Sequence, residues 1–332
     1  MNYRLHPLWW PLLFLLSPIL ILYLLIKKRS FQRNEAKTVR ANRERIEAAK
    51  TLDIEPREKL KISIVLEGKS RPEYASEAGI SYYLETEKEK ILYDIGFGEE
   101  GKAFVNNYKK LDLNYPEIDG LIISHLHPDH MGGISAARSG IVKLPEIFDS
   151  SMRNSTLPIF LPENGEVNRG KSIIINSPRL IANGAASSGP LKGNLFFSGP
   201  TKEQALIFKL KDKGKVIITG CGHPDLNSLK QISERIVPGD VYALVGGLHL
   251  PIGQGRMKKA GIDLQRIIGT GMPPWHKPGK RDLDRTISLI NDISPQRVLL
   301  SPHDTSDYAL DTLQENLKAK TDILQSGSTF SL

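Results

Sequence analysis

A cluster of metal-binding residue types lies near the middle of the chain. His125, His127, Asp129 and His130 occur within six residues and include three of the eight histidines of the sequence. Imidazole nitrogen and carboxylate oxygen together suit zinc and other first-row ions, whereas magnesium and calcium prefer oxygen ligands alone. The alternative is a polar turn whose histidines only bond backbone groups. The density of ligand types favours a metal site.

The flanking residues give this cluster a fixed direction. Residues 120–124 predict a short buried strand, and Gly132 and Gly133 open a predicted helix. In a tight loop at the end of a strand, the two alternate histidines can converge on one ion. The aspartate and the third histidine then turn toward a second ion beside it.

The N-terminus contains a long apolar run. Leu8–Ile26 has nineteen residues and no charged one, and as a helix it would span roughly 28 Å, about the hydrocarbon thickness of a membrane. Three basic residues, Lys27–Arg29, follow it in place of a small-residue cleavage site, which argues against a cleaved signal peptide. We therefore predict a membrane anchor with a basic flank over residues 1–29.

Basic residues are concentrated just after the apolar run. Residues 27–61 contain twelve Lys and Arg against six Asp and Glu, whereas only Arg4 precedes the run. This bias predicts a single-pass protein of the inner (plasma) membrane with a cytoplasmic catalytic domain; an extracytoplasmic domain is the alternative. Beyond residue 61 the chain has 32 basic and 31 acidic residues. The net charge of +8 therefore indicates anionic lipid as a partner, not nucleic acid.

The remaining chain divides into a linker and one large domain. Residues 30–59 are rich in Arg, Lys, Glu and Ala, which predicts a charged, solvated helical linker that ends at Pro56. Residues 60–332 contain two series of strand-like runs with few helices and predict two packed sheets flanked by helices. The second series includes a strand at Leu195–Phe197, and residues 250–280 predict a loop-and-helix insert near the site. The fold class is therefore α+β, preceded by a transmembrane helix.

Several motifs resemble those of a known superfamily. Asp94-Ile95-Gly96 after a strand, followed by S-H-x-H-x-D-H-x-G-G, resembles the metallo-β-lactamase fold, a four-layer αββα sandwich with a metal site at one edge. Within it the chain is similar to the group of the dihydropterin-linked ribofuranosylaminobenzene 5′-phosphate synthases. The features that carry this second likeness are Glu77-Ala78-Gly79-Ile80-Ser81, Glu203-Gln204-Ala205-Leu206, Gly220-Cys221-Gly222-His223, Gly246-Gly247-Leu248-His249-Leu250 and His303-Asp304-Thr305.

The resemblance implies roles for individual residues. His125 and His127 of the cluster would bind one metal ion, while Asp129 and His130 with His303 would bind the other. The same aspartate could accept a proton from the attacking water as a catalytic base. Asp94 would hold the histidine loop by hydrogen bonds from outside the ligand set.

The chain departs from ordinary hydrolases of the superfamily, which place a further His ligand and a bridging Asp between the cluster and the last His. Here no histidine occurs between His130 and His223, and the Gly-Asp of that motif appears as Gly220-Cys221. We predict His223 as the replacement ligand and keep Cys221 as the second candidate. Glu203, just before a strand, is a further candidate for the missing position.

Two residues outside this ligand set are predicted to line a substrate pocket. His249 follows a strand and two glycines, and Trp275 lies in a Pro-Pro-Trp-His run within the insert. Neither position matches a metal-ligand pattern.

The function that follows is a membrane-anchored, metal-dependent hydrolase. Two divalent ions, zinc or else manganese or iron, would activate water against an ester, phosphoester or lactone-like small molecule. A metal-dependent transferase acting on a pterin and a ribosyl-aminobenzene phosphate is the alternative that the resemblance implies. A membrane-tethered binding protein with a vestigial metal site is the alternative from a different class.

Overall fold

The structure of the protein is a computed structural model. It describes residues 4–113, 118–148, 157–253, 255, 258–267, 269–276 and 278–332. Short 3₁₀ helices cover Pro7–Trp9 and Glu146–Phe148. The α-helices among these residues are α1 Trp10–Ala48, α2 Ala103–Lys110, α3 Pro128–Met131, α4 Ile134–Ser139, α5 Leu226–Ile236, α6 Leu264–Ile267, α7 Lys280–Ile293 and α8 Asp307–Asn316.

The strands alternate with these helices along the chain. In the first half they are β1 Lys61–Leu66, β2 Ser81–Glu85, β3 Lys90–Tyr93, β4 Gly120–Ile122, β5 Ile141–Val142, β6 Pro158–Leu161, β7 Glu166–Val167 and β8 Lys171–Ile174. In the second half they are β9 Arg179–Ala182, β10 Ala185–Ser187, β11 Leu191–Leu195, β12 Gly199–Glu203, β13 Leu206–Leu210, β14 Gly214–Ile218, β15 Val241–Gly246, β16 Lys258–Lys259, β17 Ile262–Asp263, β18 Arg297–Leu300, β19 Lys320–Ile323 and β20 Thr329–Ser331.

Most of these strands form two sheets. Within the described residues, one sheet has seven strands in the order β20-β1-β2-β3-β4-β6-β8, and the other has seven in the order β19-β18-β15-β14-β13-β10-β9. Strands such as β14, which reads Gly-Lys-Val-Ile-Ile, carry continuous apolar runs because both of their faces are covered. The short hairpins β11-β12 and β16-β17 lie outside the two sheets.

The apolar side chains divide into three layers. Ile64 and Tyr82 of one sheet pack with Phe208 and Val216 of the other between the two sheets. A second cluster covers the outer face of the β14 sheet with α5, α7 and α8, and a third covers the outer face of the β3 sheet with α2 and α4. The arrangement is helix, sheet, sheet, helix, which confirms the predicted four-layer fold.

The C-terminal half of the N-terminal helix differs from the predicted solvated linker. The helix is continuous from Trp10 to Ala48 and ends there, well before Pro56. Its C-terminal half is not solvated on all sides, because Thr38 and Asn42 are buried. Asn42 exchanges two hydrogen bonds of 2.8 Å with the backbone of Lys192 in β11, so this half packs against the β11-β12 hairpin.

The N-terminal half of the same helix is apolar and exposed. With the preceding 3₁₀ turn, Pro7–Ala48 is the single helix among the described residues that is long and apolar enough to cross a membrane. The residues before it are bonded to the insert: His6 N donates to Gly261 O, Asp263 N donates to Arg4 O, both at 2.9 Å, and Trp9 Nε1 donates to Ala260 O at 3.0 Å. Residues 4–9 therefore pack against the β16-β17 hairpin.

One predicted strand is wrong. Leu195–Phe197 spans the end of β11 and the turn that leads to β12. Its aromatic residues take part in a side-chain cluster: Phe196 lies 5.7 Å from Phe31 and 5.3 Å from Trp275 between ring centroids. Aromatic residues read as strand formers from sequence, but here they pack between the hairpin and α1.

Candidate metal centre

The predicted ligands lie at one edge of the sandwich, where parallel strands of both sheets end. Asp94 follows β3, the histidine cluster follows β4, Cys221 and His223 follow β14, and His303 follows β18. β3 and β4 are parallel in one sheet, and β14, β15 and β18 are parallel in the other. Because the carboxyl ends of parallel strands meet at one edge, the fold brings together residues that are far apart in sequence.

Three histidines direct one ring nitrogen each to a common point. His125 Nε2 lies 3.0 Å from His127 Nδ1, and His223 Nε2 lies 3.2 Å from both of these atoms. We call these residues the three-histidine set. The structure thus places the predicted replacement ligand beside the first two histidines of the cluster.

Hydrogen bonds behind the rings fix their direction. Asp94 accepts hydrogen bonds from Ser124 N and Ser124 Oγ, both at 2.6 Å, and from His130 Nδ1 at 2.7 Å. Ser124 Oγ lies 2.9 Å from His125 Nδ1. Because this hydroxyl gives its proton to Asp94, it accepts the Nδ1 proton of His125. The Nε2 atoms of His125 and His130 therefore face the site without protons when the rings are neutral.

Ser124 is a residue that the sequence analysis missed as a member of the site. Its position directly before the cluster was the available signal. A hydroxyl that links Asp94 to a histidine, however, can be recognised only once β3 and β4 are seen to be neighbours.

A second group of ligand types lies beside the first. Asp129 Oδ2 lies 3.2 Å from His303 Nε2 and 4.0 Å from His130 Nε2, and Cys221 Sγ lies 3.1 Å from the same His130 nitrogen. We call these four residues the acidic set. The sulfur also lies within 4.8 Å of ligand atoms of two members of the three-histidine set. Cys221 and His223, which the sequence left as alternatives, are thus both at the site.

The ring of His303 carries a proton at the atom that faces the site. Gly79 N donates to His303 Nδ1 at 3.0 Å, so a neutral ring has its proton on Nε2, toward Asp129. Burial opposes a charge on His303, but the carboxylates of Asp304 and Asp129 outweigh burial and raise its pKa to about 10. A charged ring has a proton on both nitrogens, so it would have to give up the bond from Gly79 N. In either protonation state Nε2 is protonated, and a metal ion bound there must displace that proton.

The position of Gly79 requires glycine. Its φ is +92°, and a Cβ there would lie 2.0 Å from the backbone oxygen of Asp129. A side chain would therefore push its amide away from His303. Gly79 belongs to the Glu-Ala-Gly-Ile-Ser motif, whose role the sequence left unassigned.

The three-histidine set is electrically neutral in the metal-free protein. Burial lowers the pKa of His127 to about 4. Burial and then the neighbouring histidines hold the pKa of His125 and of His223 well below the ordinary value. Near neutral pH the three rings therefore offer lone pairs and no charge.

The acidic set is charged. Burial would raise the pKa of Asp129, but His130 and His303 outweigh burial and hold it below the usual range. Burial, followed by the carboxylates of Asp304 and Asp129, raises the pKa of the Cys221 thiol. An aspartate anion and a histidine proton thus face each other, and the thiol keeps its proton.

The residues fit the metal ions that their pattern predicts. A zinc ion with Zn–N distances of about 2.1 Å places tetrahedral ligand nitrogens about 3.4 Å apart, close to the separations of the three-histidine set. One proton can be shared by only two of these nitrogens, whereas one cation meets all three lone pairs. The acidic set adds carboxylate, imidazole and thiol ligands but must lose protons first.

Glu203, which the sequence suggested as a candidate ligand, is hydrogen-bonded to the backbone. Its Oε1 accepts hydrogen bonds from Gly220 N at 2.9 Å and Gly222 N at 3.0 Å, and its Oε2 accepts one from His223 N at 2.9 Å. Both oxygens are occupied by the backbone of the loop after β14. This buried carboxylate therefore positions the loop that carries Cys221 and His223.

The two predicted pocket residues take different places. His249 lies beside His223, with ring centroids 4.8 Å apart, and borders a cavity of about 840 Å³. Trp275 is half exposed and does not line this cavity, whereas His276 does. The ring of Trp275 packs against Phe196 outside this cavity, so its role as a substrate-pocket residue stays a prediction.

Comparisons with known proteins agree with this architecture. The family described as the metallo-beta-lactamase superfamily matches residues 77–143, which include Asp94 and the histidine cluster. A solved metal-dependent hydrolase of the beta-lactamase superfamily, Tm1679, has 17% identity and a TM-score of 0.54 over 82% of this chain and 98% of its own. The metallo-beta-lactamase fold protein YhfI from Bacillus subtilis has 16% identity and a TM-score of 0.50 over 83% and 100%. This chain therefore has the metallo-beta-lactamase fold, and residues 77–143 are similar to that superfamily.

A curated relative supports the finer resemblance. The 7,8-dihydropterin-6-methyl-4-(beta-D-ribofuranosyl)-aminobenzene-5'-phosphate synthase of Methanocaldococcus jannaschii is 28% identical over 232 residues, which are 59% of this chain and 75% of that protein. The chain is therefore similar to the synthase group within the superfamily.

Proposed function

We propose that the protein is a metal-dependent hydrolase that cleaves an ester, phosphoester or lactone-like bond. The observation that carries this proposal is the convergence of three neutral imidazole nitrogens beside a ligand set that contains Asp129. Such a constellation suits a metal-activated nucleophile. In the overall reaction the water oxygen joins the acyl or phosphoryl centre, and a proton goes to the leaving oxygen.

The chain's own residues supply positioning and proton transfer. Divalent ions bound at the two sets would lower the pKa of water and polarise the substrate oxygen. Asp129 would accept a proton, because this member of the acidic set stays ionised and also interacts electrostatically with His127 of the three-histidine set. His249, on the cavity side of His223, would contact the bound substrate; neither of its ring nitrogens has a hydrogen-bond partner among the described residues.

A transferase is the second candidate, and the relative from Methanocaldococcus jannaschii favours it. In that case the same metal sites would bind a phosphate-bearing substrate, and the acceptor in place of water would be an organic molecule. The distinction lies in the acceptor and not in the ligands, so the two candidates share every prediction about metal binding.

We further propose that residues 8–26 attach the protein to a membrane and that anionic lipid contacts the basic residues that follow. The exposed apolar side chains of this segment support attachment. A bilayer crossing with the catalytic domain on the cytoplasmic side remains our proposal from charge. The bonds between residues 4–9 and the β16-β17 hairpin would have to break in such a crossing. Labelling of a Leu5→Cys variant from either side of the membrane tests this point.

The proposed function is tested with purified full-length protein. We expect bound zinc, manganese or iron, and hydrolysis of at least one of a panel of carboxylic esters, phosphodiesters and lactones that a chelator abolishes. Turnover of a pterin with a ribosyl-aminobenzene phosphate, without hydrolysis of the panel, would assign the transferase instead. Protein that binds no divalent metal would exclude both.

A further inference from the structure

The cavity beside the three-histidine set is bordered along one side by the N-terminal helix. It has a volume of about 840 Å³, within the range of ligand pockets. His223 and His249 border it at the metal site, and Leu195 and Met272 border it from the hairpin and the insert. The residues of α1 that line it are Phe31, Glu35, Thr38, Val39, Asn42, Arg43 and Ile46.

This side of the cavity is built into the fold. Asn42 is fixed by its two hydrogen bonds to Lys192 in β11. Nearer the N-terminus of α1, the helix is bonded to Asn194 of β11, whose Nδ2 donates to Phe31 O and to Glu35 Oε2, both at 3.0 Å. The helix is therefore held to the hairpin at two points about eleven residues apart, Phe31 and Asn42, and both of these residues line the cavity.

The cavity is elongated along α1 and reaches toward the apolar segment of that helix. From Ile46 to Phe31 the lining follows roughly 22 Å of helix, and Ile26, the last residue of the apolar segment, lies only about 7.5 Å beyond Phe31. At this end an aromatic cluster forms, in which Phe196 packs against both Phe31 and Trp275. Aromatic rings of this kind are common at the boundary between hydrocarbon and water.

Basic residues surround the aromatic cluster. Lys27 Nζ donates to Phe197 O at 3.0 Å, and Lys28 Nζ lies 5.9 Å from the centre of the Trp275 ring. These cations lie where the apolar segment meets the domain, as expected beside anionic headgroups. The cavity is thus bordered by His223 and His249, and its Phe31 end lies next to the membrane-facing end of α1.

We propose that the site acts on a membrane amphiphile. The ester or phosphoester head lies at the histidines, and a hydrocarbon chain extends along the Val39 and Phe31 side of the cavity toward the membrane. This inference rests on the proposed function for the chemistry at the head. The chain is recognised by apolar side chains of α1, the hairpin and the insert, and these residues have no part in metal binding.

A homologous series of alkylphosphonates tests the inference, because the phosphonate is a stable mimic of the hydrolysed head. The probes run from methylphosphonate to octylphosphonate, and binding is measured to metal-loaded full-length protein in nanodiscs. We expect affinity to rise roughly fourfold for each methylene that the cavity buries. Val39→Trp should abolish most of this rise and leave methylphosphonate binding unchanged. Val39 is exposed in the cavity, so the larger ring fills space without disturbing the core.

Lys37→Trp is the matched control, since Lys37 is exposed on the same helix and does not line the cavity. Partition of the chains into nanodisc lipid is the same for all three proteins, so the difference between variants reports the cavity. A rise with chain length that Val39→Trp leaves intact, or no rise at all, overturns the amphiphile proposal while methylphosphonate binding upholds the metal site. Failure to bind metal or methylphosphonate overturns the proposed function, and the amphiphile proposal with it.

Discussion

The two halves of the metal centre differ in the charge and protonation of their side chains. The three-histidine set consists of neutral rings whose nitrogens face one another at 3.0–3.2 Å. The acidic set contains an aspartate anion, a protonated histidine nitrogen and a protonated thiol. Without a metal ion, opposite charges face each other at Asp129 and His303 in the acidic set, whereas the three nitrogens of the first set carry no charge and have one another as neighbours.

This difference has a consequence for metal affinity. A cation that enters the three-histidine set displaces nothing and relieves the crowding of lone pairs. A cation that enters the acidic set must first break the contact of Asp129 with His303 and remove protons. We therefore expect the two sites to fill in order, with the three-histidine set first and more tightly.

The largest expected effect comes from removing a member of the three-histidine set. His223→Ala should lose the tightly bound metal and reduce hydrolysis to the uncatalysed rate, because the remaining two nitrogens form an incomplete site. Cys221→Ser should keep the first equivalent and weaken only the second. The measurement is metal per chain for the two variants after dialysis, side by side.

Two other results for the His223 and Cys221 variants would contradict this assignment of ligands. Equal, full occupancy in both variants would show that neither residue is a required ligand, and the reverse order would make Cys221 the primary ligand. His249→Ala serves as the control, since that residue lies next to His223 but points no nitrogen to the convergence point. It should retain both equivalents.

The next largest effect is the dependence of metal affinity on pH. The pKa of His127 lies at about 4, and burial holds those of His125 and His223 well below the ordinary value, so affinity for the first ion should be nearly constant above about pH 5. The second ion displaces the Nε2 proton of His303 and a thiol proton. Because the bound state holds fewer protons than the free state, its affinity should rise with pH, by about tenfold per unit for each proton released.

Calorimetric titration in buffers of different ionisation enthalpy separates the two steps. The heat of the first step should not depend on the buffer, and that of the second should. A buffer-dependent first step would mean that the three-histidine set is protonated, and the assignment of neutral rings to it would have to be abandoned.

The sequence was most informative where ligands are contiguous. The run from His125 to His130 and its position after a strand could be recognised without any structure, and so could the αββα architecture. Helix α5 was missed although it has a clear signal: Asp225 caps Ser228 N, and Leu229, Ile232 and Ile236 are buried at helical spacing. This helix could therefore be predicted from local sequence signals alone.

Other features depend on contacts between distant segments, and no local pattern shows them. Gly79 is about 220 positions from the ring of His303 that it orients. Asn42 reads as one polar residue in a charged helix, yet it holds that helix to β11. Such roles follow from which elements become neighbours, and they could not be predicted from composition or periodicity.

The smallest expected effect comes from the residue that serves both sets indirectly. Glu203→Gln keeps the shape of the side chain but replaces one acceptor oxygen with an amide that cannot accept from His223 N. The loop after β14 then loses one buried charge-assisted hydrogen bond, which should lower the free energy of unfolding by about 2 kcal/mol. Because this loop carries Cys221 and His223, affinity for both ions should fall by roughly tenfold, the lower end of the effect of residues that orient ligands. Glu163→Gln, on an exposed pair with Lys202, is the matched control and should change neither stability nor metal binding. If Glu203→Gln lost one equivalent of metal outright while its stability stayed that of the wild type, the carboxylate would be acting as a ligand and not as a support for the loop.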